Sequence, residues 1–244
     1  MKTVKVFIAS SEELRLERLE FADMIQQLNR ILKPRGVEID PLDNHEEYHR
    51  ELKNCEMCLV LYWTKFEDQT KDELDAAYSE LCANRNPQKL YVYFKDADDI
   101  TPELKAFKES FATAYGHFFC RFENVDTMKL NFLLQFEAYQ NKTSEGLLKV
   151  RDSQVEIDGQ PLVELKNVPF AGNNPEYLQL LEDIEEMNQM VSEYPKKEKL
   201  RQRLRDLQER RKAMENSLLD TAKLITRLSS TTTSARLAEA MRLF

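Results

Sequence analysis

Over its first 140 residues the chain alternates short apolar runs with longer stretches whose apolar positions recur at helical spacing. That is the pattern of βαβ units built on a parallel sheet. Val4 to Ala9 (VKVFIA) reads as a central strand. Ser10 and Ser11 then offer N-cap hydroxyls, and Glu12 and Glu13 suit the positive end of a helix dipole. The helix they open carries Leu14, Phe21, Ile25, Leu28 and Leu32 on one face until Pro34 and Gly36 stop it. Val37 to Asp40 is a short second strand and Glu46 to Asn54 a short helix. Met57 to Trp63 (MCLVLYW) is apolar enough to be a strand covered on both faces. Asp72 to Ala83 reads as helix, Leu90 to Phe94 as a fourth strand, and Thr101 with Pro102 as the start of another helix. Phe118 to Phe122 and Met128 to Tyr139 complete five strands and five helices. The expected class is α/β, a five-stranded parallel, flavodoxin-like three-layer sandwich over 1–140.

Beyond residue 140 the period changes. Leu147 to Val150, Val155 to Ile157 and Pro161 to Leu165 alternate around polar turns, one of them Asp158-Gly159, so 141–174 reads as a β-hairpin or meander. Over 175–228 two helices are expected. Glu176 to Glu193 has six acidic residues and no basic one, whereas Lys196 to Leu228 has eleven basic and five acidic, which suits an antiparallel hairpin joined at Tyr194-Pro195. The second helix also carries a heptad seam of Leu200, Leu204, Leu207, Arg211, Met214, Leu218, Thr221, Ile225 and Leu228. Because that seam is short and polar at two slots, packing within the chain is favoured over an intermolecular coiled coil. Residues 229–244 read as a polar linker (SSTTTS) and a helix, Ala235 to Phe244, whose apolar end suggests a helical repeat continuing past Phe244.

Composition narrows the function. Only five glycines occur, at 36, 116, 146, 159 and 172, too scattered for any GxGxxG or GxxxxGK[ST] phosphate loop. A net charge of −8 argues against a general grip on nucleic acid. No apolar run approaches membrane-spanning length, and MKTVKVFIAS lacks a signal-peptide layout, so the cytoplasm is the expected compartment. Cys55, Cys58, Cys82 and Cys120 read as reduced thiols rather than a disulfide framework.

Several motifs invite chemistry. His45-Glu46-Glu47-Tyr48-His49 matches HExxH, and Glu67 or Glu73 would be a third zinc ligand, but a short helix feeding a buried strand is better read as a solvated surface helix; no metal is expected. Cys55-x-x-Cys58 has no second CxxC, and core packing is the favoured reading. His117 supplies no triad. Topology offers more, because open α/β sheets bind ligands beyond the carboxyl ends of their strands. There lie Ser10, Ser11 and Glu12, the segment Asp40 to Asn44, and Trp63 to Glu73. Glu73 stands about one turn into its helix and would either complement the dipole or face the crevice.

These segments carry a family resemblance. KVFIASSEELRLER, a strand ending in a small-Ser-Ser step before an acidic, Arg-containing helix, and CLVLYWTKFEDQTKDEL, an apolar strand, an aromatic loop and a helix opening with xxEL, resemble a bacterial TIR (Toll/interleukin receptor) domain. The resemblance covers the first 140 residues and places Glu73 at the family's catalytic glutamate. It implies hydrolysis of NAD+ at the nicotinamide–ribose bond, to ADP-ribose or a cyclic product, with NAD+ as substrate and no cofactor. It further implies self-association and a defence-signalling role. Trp63 and Phe66 become candidates to stack on the substrate, beside Ser10 and Ser11, although strand-end aromatics commonly belong to the core. The loop after the second strand, about Pro41 to His45, is shorter than the family's. The C-terminal helices are similar to connectors joining such domains to helical repeats. A non-catalytic TIR adaptor and a nucleoside deoxyribosyltransferase-like enzyme remain alternatives, told apart by absent NAD+ turnover and by base exchange respectively.

Overall fold

The computed structural model describes residues 1–42, 45–85, 87–116, 119–140 and 147–231, with side chains to 227 in the last stretch. Asp43, Asn44, His117 and Phe118, the tail from 232, and the helix expected at Ala235 to Phe244 lie outside the described residues. Contacts divide the chain into two compact units, one holding Met1–Met128 and the other Lys129–Ser230.

The first unit is a five-stranded, all-parallel sheet in the order β2-β1-β3-β4-β5. Its strands are β1 (Lys2–Ser10), β2 (Val37–Leu42), β3 (Met57–Tyr62), β4 (Lys89–Lys95) and β5 (Phe119–Phe122). Helices α1 (Arg15–Leu32), α2 (Tyr48–Asn54), α3 (Asp68–Asn84) and α4 (Pro102–Tyr115) connect them, and α5 (Val125–Gln140) follows, most of its length belonging to the second unit. This is the expected α/β, flavodoxin-like architecture. Every residue of β3 is buried, as a strand covered on both faces requires.

Side-chain alternation sorts the core into two layers. On one face Phe7, Ala9, Cys58, Val60, Tyr62, Val92 and Phe94 pack with Leu52 of α2, Leu74 and Ala77 of α3, and Leu104, Phe107 and Phe111 of α4. The intervening Val4, Val6, Ile8, Met57, Leu59 and Leu61 point the other way and are buried, as are Leu14, Phe21, Met24, Ile25 and Leu28 at the start of α1 and along it. Asn29 of α1 fastens that helix to edge strand β2. Its amide donates to Ile39 O at 2.7 Å while its oxygen accepts from Ile39 N at 2.8 Å.

In the second unit β6 (Lys149–Arg151), β7 (Gln154–Ile157) and β8 (Gln160–Glu164) form an antiparallel meander. Asp158-Gly159 makes one turn, with φ of 52° and 79°. The other, Asp152-Ser153, has φ of 50° and 63° without any glycine. After a single turn of helix, α6 (Pro169–Gly172), come α7 (Pro175–Glu193) and α8 (Glu198–Thr231). Arg210 pairs with Glu176 at 2.6 Å and Tyr177 Oη donates to Glu215 at 2.9 Å, which sets the start of α7 beside the middle of α8, antiparallel. The heptad seam is half-buried from Leu200 to Leu218 and runs out beyond it: Thr221 and Ile225 are exposed, while full burial falls at Glu215 and Leu219. A straight helix drifts off a seven-residue repeat, and here the most buried positions, 215 and 219, stand one residue past the seam slots 214 and 218. Among the described residues no helix is long and apolar enough to cross a membrane.

Candidate functional site

Three strand ends frame the site: Ser10 of β1, Leu42 of β2 and Tyr62 of β3. Beyond β1, Ser11 stays extended and a turn of 3-10 helix, Glu12–Leu14, precedes α1. Ser11 makes no cap to the helix backbone; its hydroxyl instead donates to Glu13 Oε1 at 3.2 Å. Glu13 also accepts Thr64 N–H at 2.8 Å, the Thr64 hydroxyl at 2.5 Å and Lys65 N–H at 3.2 Å. Burial pushes the pKa of this carboxyl up, but the hydrogen bonds from Thr64, Lys65 and Ser11 outweigh it and hold the pKa below its ordinary value. Glu13 thus occupies the junction of the β1 and β3 loops where the topology leaves a crevice.

Glu73 lies in the second turn of α3 and is 1% exposed. Its Oε1 meets His45 Nδ1 at 2.8 Å and accepts a longer bond, 3.5 Å, from Gln69 one turn earlier. Oε2 accepts no hydrogen bond among the described residues. The His45 ring is half-buried, edge-on to Phe7 of β1 at 5.8 Å. Facing the same layer, the Tyr62 hydroxyl is fully buried with no hydrogen-bond partner among the described residues. Burial, followed by the charges of Tyr115, Asp75 and Glu73, pushes its pKa far up, so it stays a neutral donor.

The other sequence candidates sit elsewhere. Ser10, next along β1 after Ala9, turns to the α1 face, where its hydroxyl accepts from Arg18 at 3.0 Å. Trp63 falls on that face too, its ring 3.7 Å beneath the Lys95 ammonium, which is paired with buried Glu17 of α1. Phe66 lies with Glu73's layer but within the aromatic core, 5.1 Å from Phe107 and 6.3 Å from Tyr62. No hydrogen bond, ion pair or ring contact joins Glu73, Ser10, Ser11, Trp63 and Phe66 to one another. What accompanies Glu73 is instead His45, Gln69 and Tyr62. Strand parity alone points to Tyr62, because it shares its face with Cys58 and Val60.

His45 Nδ1 is engaged by Glu73, whereas His49 is exposed and lies against the Tyr48 ring at 4.1 Å. Among the described residues no three His, Cys, Asp or Glu side chains are arranged to hold a metal ion. Compared with protein-family models, with curated proteins and with solved structures, the chain matches none.

Proposed function

We propose that the first unit is a TIR-like NAD+ glycohydrolase in which Glu73 is the catalytic carboxylate. One observation carries this reading: Glu73 is a buried carboxylate beyond the carboxyl ends of parallel strands, anchored through Oε1 alone. The anchored oxygen fixes the group, and the free Oε2 is left for substrate. In the reaction the C–N bond between ribose and nicotinamide breaks with its electron pair departing on nicotinamide, which leaves neutral. Positive charge builds on the ribose, and a fixed carboxylate in a low-dielectric site stabilises it. Water then adds to C1′ and loses a proton, giving ADP-ribose; attack by an adenine nitrogen gives a cyclic product. No general acid is needed for a leaving group that is already cationic. The same reading expects a cytoplasmic protein that self-associates in defence signalling.

A non-catalytic adaptor is the second reading, favoured by the separation of Ser10 and Trp63 from Glu73 across the sheet. Concentrated protein incubated with NAD+, wild type beside Glu73→Gln, decides between them. The hydrolase reading expects nicotinamide release that falls about 100-fold or more in the variant. Equal release from both proteins overturns the role of Glu73, and no turnover from either leaves the adaptor.

A further inference from the structure

The second unit contains a cleft of about 510 Å³ between the β6–β7 turn and α8, independent of the Glu73 reading. Its size is within the roughly 300–1,000 Å³ of small-molecule sites, but its walls are charged. Lys149 and Arg151, alternate residues of β6, face it, and Arg205 and Lys212, two helical turns apart, face it from α8. At its base Arg211 reaches Asp152 at 2.5 Å and stands 3.7 Å from buried Glu215. The Arg211 Nε is buried there without a hydrogen-bond partner among the described residues. Glu215 in turn accepts from Ser153 Oγ at 2.8 Å and from Tyr177 at 2.9 Å. The floor is therefore a fixed network, with both its carboxylates engaged.

The rim is not. Lys149, Arg151 and Lys212 make no ion pair among the described residues, and neither do Glu156 and Glu209. Lys149 and Glu156 are even opposite each other in the strand ladder, yet do not pair. Unpaired cations around a cleft favour a multiply charged anion with oxygen acceptors. The two free carboxylates accept hydrogen bonds only, and so suit hydroxyl donors on the same ligand. We infer that this cleft binds a sugar phosphate or nucleotide, its phosphate on Arg151 and Lys212 and its sugar hydroxyls on Glu156 and Glu209.

Calorimetric titration of the full chain with ribose 5-phosphate, AMP and inorganic phosphate tests this. Saturable binding of ribose 5-phosphate or AMP is expected, tighter than phosphate alone, and the tighter of the two distinguishes a sugar phosphate from a nucleotide. Arg151→Ala with Lys212→Ala should weaken it at least about tenfold without changing the melting temperature, since both side chains are exposed and unpaired. Glu156→Gln with Glu209→Gln should weaken the sugar-bearing probes and leave phosphate unchanged or tighter. No saturable binding, equal affinity for phosphate and ribose 5-phosphate, or undiminished binding by the cation variant would overturn it.

Discussion

Glu13 and Thr64, fifty-one residues apart, are joined twice, backbone N–H to one carboxylate oxygen at 2.8 Å and hydroxyl to the other at 2.5 Å. The pair closes the gap between the loops after β1 and β3, so a residue expected merely to complement a helix dipole ties two strand ends together.

That role makes stability acid-sensitive. Glu13's folded pKa lies below its ordinary 4.5. A depressed carboxyl contributes stability that is fully present above the unfolded value and disappears as pH falls through the folded one. Glu13→Gln should cost about 1–2 kcal/mol at neutral pH through weaker hydrogen bonds. Urea unfolding followed across the acid range should show the difference from wild type shrink below pH 4.5 and vanish once Glu13 is protonated in the folded state; a difference that persists into strong acid would refute the assignment.

Removing the imidazole from Glu73 should destabilise the first unit. His45→Ala leaves a buried carboxylate with only the 3.5 Å bond from Gln69, at a cost of about 1–3 kcal/mol. Glu73→Gln in the His45→Ala background should recover part of that loss, because a neutral amide is less costly to bury unpaired. Chemical denaturation monitored by the fluorescence of Trp63, the sole tryptophan, reads the first unit. Additive rather than compensating losses would count against the pairing.

The order of strands and helices was legible because a doubly covered sheet forces unbroken apolar runs such as 57–62, and amphipathic helices between them. The site was less so, since neighbours such as Tyr62 and Trp63 lie one residue apart in sequence and on opposite faces of the sheet. Trp63 and Glu73 share one strand-end segment, yet parity turns Trp63 to the α1 face and away from Glu73. His45 is half of an HExxH pattern in the sequence, but its carboxylate partner comes from α3, twenty-eight residues on, a contact no local pattern encodes. In the second unit the Asp158-Gly159 turn was readable, while Asp152-Ser153 reaches the same left-handed conformation without glycine. Its geometry is sustained by Ser153 donating to Glu215 and Arg211 reaching Asp152.

Thiol chemistry should separate Cys82 from Cys55 and Cys58. Burial pushes Cys55 up to about 12 and Cys58 well above the ordinary thiol value, whereas Cys82 is exposed. Thiolate is the reactive form. Titration with a disulfide reagent in mildly alkaline buffer should show a fast phase that Cys82→Ser diminishes, half-exposed Cys120 accounting for what is left, with Cys55 and Cys58 reacting only after denaturant is added. Rapid labelling of Cys58 in folded protein would contradict the packing of β3.

Two glycines should resist substitution for different reasons. Gly36 has φ of +78° and open space where an alanine methyl would stand, so Gly36→Ala meets only backbone strain, about 1 kcal/mol. Gly172 has an ordinary backbone conformation, but a Cβ there would stand 2.2 Å from the carbonyl oxygen of Lys166. A backbone atom cannot swing aside as a side chain would, so Gly172→Ala must displace α6 from the preceding turn, at about 3 kcal/mol. Circular dichroism during urea unfolding reads the loss in both variants, and Trp63 fluorescence reports the first unit, which contains Gly36. Gly172→Ser should fare no better than alanine, since the clash lies at Cβ itself. A wild-type midpoint for Gly172→Ala would mean that α6 yields freely and does not fix the start of α7.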